Sequence, residues 1–279
     1  MSNMQMNEFS WSHLNHWHLG IVPVVLLLGA GCLYAVGARR AKDWPLAPSL
    51  FFYLGLVVTF LATQSVIGYF DMEYFSAHMV QHLLLIMAAA PLFACARPLD
   101  LISKVGPLWA KKFIDGRFMR VVLHPLFGFA AYVVFIPVTH LTGLFDLMMK
   151  YSLIHHAEQI AFLIIGYLFF RVAFGLERGM KLHPGLRLVY VMGAVPVDTF
   201  TGLALIMSVK NPFPGYAAMA PMGSTPASIL DNVKLGGSIM WIGGDGLMLL
   251  ACIPLVVMWV KWETIRTREI DAELDELGL

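Results

Sequence analysis

His78 and His82 stand four residues apart in the segment HMVQH. On an α-helix this spacing puts both imidazoles on one face, about one turn apart. One helix can then offer two nitrogen ligands to a single metal ion. Imidazole suits zinc and copper, and thioether sulfur adds a preference for Cu(I). Methionines are plentiful in the same half of the chain's topology: Met72, Met79, Met148, Met149, Met207, Met219, Met222 and Met240. Methionine is first an apolar gap-filler, so Met207 and Met240 enter only as secondary ligand candidates.

Other ionisable groups fall within long apolar runs, where each costs a few kcal/mol and needs a partner. They are Glu158, Arg171, Asp198 and Asp245, with the histidines His124, His140, His155 and His156. Asp198 sits in PVDTFTG, where Pro196 and Gly202 permit local helix distortion. Asp245 sits in WIGGDG, whose glycines allow close packing or a break. Each group also has a plainer reading. Interfacial histidines hydrogen-bond loops and headgroups, and a protonated carboxyl can serve packing alone. His124 before Pro125 and His183 before Pro184 read as structural, and Arg171 as a side chain that snorkels to the interface. His13, His16 and His18, with Trp11 and Trp17, read as an interface anchor. Cys32, Cys95 and Cys252 stand singly with no CxxC, so neither a disulfide framework nor thiolate metal chemistry is expected.

The elements that carry these groups follow from composition. The 279 residues are 58% hydrophobic and 13% charged, with a mean hydropathy of +0.71. Soluble chains carry roughly a quarter charged residues. The net charge of +1 gives no basic excess, so no nucleic-acid partner is expected. Apolar windows fall at about 19–38, 48–67, 77–96, 121–140, 153–176, 188–209 and 235–260, each near the roughly 20 residues that cross a bilayer. They predict an all-α integral membrane protein with seven transmembrane helices. A β-barrel would show short alternating segments instead. No cleavable signal peptide is expected, because residues 1–18 lack Lys and Arg.

The cations set the orientation. The segments 39–47, 97–120, 177–187 and 261–279 hold three, six, three and three of the 19 Lys and Arg residues; the N-terminus and remaining loops hold only Lys150, Lys210 and Lys234. The N-terminus is therefore expected outside and the C-terminus in the cytoplasm. Residues 1–18 form an extracytoplasmic segment, 19–260 the seven-helix domain and 261–279 a cytoplasmic tail with a solvated helical extension. A short interfacial helix is expected in the inner loop around Leu101–Phe113. The outer loop at 210–234 is rich in Pro and Gly. In this topology His78, His82, His140, His155 and His156 converge on the extracytoplasmic half, with Asp198 and Asp245 near mid-membrane.

FSAHMVQHLLLIMAAAPLFACARPL, residues 75–99, resembles the signature of the seven-span CtaG-type cytochrome c oxidase assembly factors. Similar segments recur in order: LYAVGARR, His124-Pro125, GYLFF at 166–170, PVDTFTGLALIMS at 196–208 and DNVKLGGSIMWIGGD at 231–245. The resemblance implies a multi-pass protein of the bacterial inner membrane that matures a haem–copper terminal oxidase by supplying or positioning copper. Its partners would be an oxidase subunit, copper donor or acceptor proteins and the lipid bilayer, with a homo-oligomer open. His78 and His82 carry over as the principal ligands, and Asp231 and Asp245 match acidic positions of the closing block. Relatives are expected to carry histidine at Asp198, and the exchange gives a harder ligand. The leading expectation is a non-enzymatic copper-handling factor that binds Cu(I) through His78 and His82 with one or more of His155, His156, His140 and Asp198. Asp245, Asp231, Glu158, Met240 and Met207 are further candidates. The alternatives are a bis-histidine haem protein pairing His82 with His155 or His156, a copper or proton transporter using Asp198, Asp245 and Glu158, and a metal-independent oxidase assembly scaffold.

Overall fold

A computed structural model of the chain describes residue 17, residues 19–179 and residues 181–278. The expectations for the N-terminal segment, including Trp11, His13, His16 and His18, lie outside the described residues. Trp17 is described, and its ring lies 6.1 Å from that of Phe60.

Among the described residues the secondary structure is helical throughout, with no strand. Apolar runs of this length fold so because, away from water, a helix satisfies its own backbone polar groups. The main helices are α1 (Ile21–Arg40), α2 (Leu46–Phe70), α3 (Phe75–Val105), α4 (Pro125–Leu141), α5 (Leu144–Lys150), α6 (Ser152–Phe174), α7 (Pro184–Ile206) and α8 (Pro226–Glu276). Six are long and apolar enough to cross a membrane. The fourth expected span qualifies only if α4 and α5, bent by 68°, are taken as one. Large apolar side chains such as Ile21, Leu33 and Leu153 remain exposed, as a lipid-facing surface requires.

α3 and α6 form the centre. About half of the most apolar 18-residue stretch of each is buried, 56% and 50%, against 11% for that of α1. A Cβ on Gly166 of α6 would lie 2.7 Å from Ala90 Cβ and 2.9 Å from the Ile86 carbonyl of α3, so only glycine allows this approach. Residues four apart drift by about 40° around an ideal α-helix. A π-helical stretch at Leu84–Ala89, just after HMVQH, widens the turn. It keeps His78, His82, Ile86 and Ala90 all directed at α6. Asn232 of α8 fixes the start of α3, accepting from Ser76 N at 3.1 Å and donating to Ser76 Oγ at 3.0 Å.

At the opposite end of α3, Arg97 adopts φ 55° before Pro98 restarts the helix. A short helix is found at Leu108–Ile114, with Leu108, Trp109 and Phe113 exposed. α8 continues unbroken into the exposed tail. His124 and His183 are structural: their side chains cap α4 and α7 by accepting from Leu126 N and Gly185 N. Arg171 corrects its expectation. It does not snorkel but is 3% exposed, donating to the Leu123 and Arg178 carbonyls left over at chain reversals.

Candidate metal centre

The helix starts at one end of the bundle bring five ionisable side chains into a buried cluster. α3 supplies His78 and His82, α6 supplies His155 and Glu158, and the connection between α2 and α3 supplies Asp71; His140 closes α4 beside them. All are at most 5% exposed. Two groups have ligand atoms within 4.8 Å of one another: His78, His82 and Glu158, and Asp71, His78 and His155. The closest approaches are His82 Nε2 to Glu158 Oε1 at 3.4 Å, His78 Nε2 to Glu158 Oε2 at 3.8 Å and His155 Nε2 to Asp71 Oδ2 at 3.4 Å.

The hydrogen-bond pattern assigns the tautomers. His140 Nδ1 lies 2.8 Å from the Ile136 carbonyl, which can only accept, so that nitrogen carries the proton. His140 Nε2 is then an acceptor, and its neighbour at 3.3 Å, His82 Nδ1, must be the donor. His82 Nε2 is left as a bare lone pair, 3.4 Å from Glu158 Oε1. Two acceptors facing each other in a buried site call for a cation between them, a proton or a metal. His82 Nε2, both nitrogens of His78 and both oxygens of Glu158 have no hydrogen-bond partner. Each unsatisfied buried polar group costs about 1–3 kcal/mol. The donor set of imidazoles and carboxylate therefore fits a metal ion such as copper or zinc.

Packing fixes the rings. Phe162 stacks on His82 with centroids 3.8 Å apart, and Phe145 meets His78 edge-on at 5.2 Å. Asp71 accepts from Gln81 Nε2 at 2.7 Å. It lies in the connection between spans, and burial pushes its carboxyl up to about 7 despite that hydrogen bond.

Of the expected ligands, the structure brings together His78, His82, His155 and Glu158, with His140 behind His82. His156 is exposed on the outer side of α6, with Nε2 3.5 Å from Ser152 Oγ. Asp198 belongs to neither ligand group. It is 2% exposed and accepts from Tyr132 Oη at 2.7 Å. Asp245 accepts from Thr199 Oγ1 at 2.7 Å, its Oδ1 lacking a partner. Asp231 and Met207 are exposed, and Met240 is buried in the apolar core. Sequence reasoning missed Asp71, Gln81 and Gln159. Gln81 lies inside HMVQH itself, and Asp71 stands seven residues before His78, in the connection that precedes the helix.

A family model described as cytochrome c oxidase caa3 assembly factor matches residues 32–262, which include every residue of the cluster. Uncharacterized protein Mb0105 of Mycobacterium bovis and Uncharacterized protein MT0111 of Mycobacterium tuberculosis are each 25% identical over 256 residues. Uncharacterized protein ML1998 of Mycobacterium leprae is 24% identical over 255. These alignments cover 87% of this chain and 38% of each relative, so the chain spans under two fifths of the length of the curated relatives it matches. No solved structure matches the chain.

Proposed function

The chain belongs to the cytochrome c oxidase caa3 assembly factor family, and from that premise we propose that it holds copper as cargo for a haem–copper oxidase. In this reading the protein catalyses no reaction; it binds the ion reversibly and presents it to an acceptor. The observation that carries the reading is the bare His82 Nε2 opposite the partnerless Glu158 carboxylate. His78 and His82 ligate, Glu158 balances the charge, and His140 holds His82 in the binding tautomer, as outer hydrogen bonds do at metal-ligating histidines.

In the His78, His82 and Glu158 group a single carboxylate matches the charge of one Cu(I) ion. Location agrees with the role. The cluster sits where α3 and α6 begin, and the cation-rich segments around Arg97 and Arg178 sit where those helices end. By the positive-inside rule the cluster faces the extracytoplasmic side. Oxidase copper lies toward that side, so a donor at this depth needs no translocation step.

The test is the copper content of the full chain, purified in detergent and loaded anaerobically with Cu(I), beside the variants His78→Ala/His82→Ala and Glu158→Gln. Near-stoichiometric copper is expected in the parent, with loss in the double variant and weaker retention in Glu158→Gln. Circular dichroism confirms that the variants fold. Equal copper in parent and double variant, or none in the parent, overturns the reading and leaves a metal-independent scaffold. Copper uptake into sealed vesicles would make the protein a transporter instead.

A further inference from the structure

We propose that the cluster is a two-step ladder: a single copper ion enters at an outer position formed by Asp71, His78 and His155, then moves one helical turn inward to His78, His82 and Glu158. The inference rests on the copper reading above and assigns a second position to the same cargo.

The shared residue is the first argument. His78 belongs to both ligand groups, is fully buried, and has no protein partner on either ring nitrogen. It can stay bonded to the ion while the other ligands are exchanged, so the ion never stands bare in a medium that strongly disfavours it. The register of the two helices is the second. His82 follows His78 by four residues on α3, and Glu158 follows His155 by three on α6. At 1.5 Å per residue both helices step inward together by about 5 Å. The outer position is nearer the helix starts, with Asp71 in the preceding connection and exposed His156 next to His155.

The outer position is also built rather than incidental. Gln81 Nε2 donates to Asp71 Oδ2 and, at 3.1 Å, to the Ala62 carbonyl. Gln81 Oε1 in turn accepts from Gln159 Nε2 at 3.2 Å, and Gln159 Nε2 lies 3.5 Å from His155 Nε2. Two glutamines, one on each helix, thus tie the Asp71 carboxylate and the His155 imidazole into one hydrogen-bonded network. Each position contains one carboxylate, so Cu(I) meets a matching charge at both. Two ions at once would set like charges about a helical turn apart in a low-dielectric interior, which restricts the ladder to one ion at a time.

The test measures rates on the full chain in detergent, with Cu(I) supplied anaerobically and withdrawn by a chromophoric Cu(I) chelator. Asp71→Asn keeps the size of the side chain and an oxygen for Gln81, and His155→Gln serves as the second variant. Both are expected to slow uptake and release alike, by about tenfold or more, because an ion must cross the outer position in either direction. Glu158→Gln is expected to speed release. Three results overturn the ladder while leaving copper binding intact: Asp71→Asn speeding release as Glu158→Gln does, which means a single shell; parent rates in both outer variants; or two copper ions per chain in the parent. A parent that takes up no copper overturns the ladder and the copper reading together.

Discussion

Replacing His140 with phenylalanine separates a ligand from a residue that positions one. The substitution preserves a ring beside the stacked His82 and Phe162, whose rings lie 5.3 and 6.0 Å from that of His140. It removes the acceptor for His82 Nδ1–H, now 3.3 Å away. A buried N–H without a partner costs about 1–3 kcal/mol, and His82 can avoid that cost by changing tautomer. Its proton then sits on Nε2 and points at Glu158, 3.4 Å distant. The fold is thereby preserved, but the lone pair that would bind copper is occupied. Metal binding must first break a hydrogen bond to a charged group, worth about 1.5–3 kcal/mol. Copper affinity should therefore fall by about ten- to a hundredfold, the range seen when outer-shell partners of metal ligands are removed. Competition titration of Cu(I) against a chromophoric chelator measures this, with copper stoichiometry determined at saturation. Unchanged affinity would refute the tautomer argument. Loss of all copper at saturation would make His140 a direct ligand.

Three further outcomes are expected. Asp198→Asn should retain copper at the parent level, because Asp198 is tied to Tyr132 and lies outside both ligand groups; metal analysis showing loss would restore it as a ligand. Gly166→Ala should destabilise the bundle by about 1–3 kcal/mol, since its Cβ would meet the Ile86 carbonyl at 2.9 Å; detergent-unfolding midpoints of the two chains check this. Glu177, in the connection between α6 and α7, has its carboxyl pushed up to about 7 by burial, which outweighs the hydrogen bonds from Tyr167 and Leu99 N. Its folded-state value exceeds the ordinary 4.5, so the folded state binds more protons between those values and stability falls as pH rises from about 4.5 to about 7. Glu177→Gln should flatten that part of the pH–stability profile, and an unchanged slope would place the titration elsewhere.

The helices were legible because an apolar run of twenty residues is a long signal, one that no soluble segment of this composition imitates. HMVQH was legible for a similar reason, since one helix fixes the relation between residues four apart. What joins different helices was not. Asp71 lies outside every apolar run, and nothing local indicates that its connection returns over the start of α6. Asp198 stands out as an acid within a span, but its partner Tyr132 is 66 positions away and belongs to no motif. The π-helical stretch after His82 carries no proline or glycine, so its sequence LLIMAA reads as ordinary helix. The bend after α4 follows Thr142 and Gly143, yet Pro137, the stronger local signal, lies inside an unbroken helix.

Two buried glutamates in one molecule are held in different ways. Glu177 follows the end of α6 and is structural. One of its oxygens accepts from Leu99 N at 2.5 Å and Asp100 N at 3.3 Å, the other from the Tyr167 hydroxyl. Both oxygens are satisfied, and the carboxylate caps a helix start. Glu158, on α6 itself, is equally buried, and neither oxygen receives a hydrogen bond. The histidines divide in the same way. His124 and His183 each accept a backbone N–H, while His78 bonds to nothing through either nitrogen. Partnerless polar atoms are destabilising wherever they occur, and a purely structural cluster would gain stability by replacing them with apolar side chains. Here they are concentrated on facing turns of the two most buried helices, with lone pairs converging within 4.8 Å. That concentration argues for an ion that comes and goes, because ligands fully satisfied by the protein would have little reason to accept one.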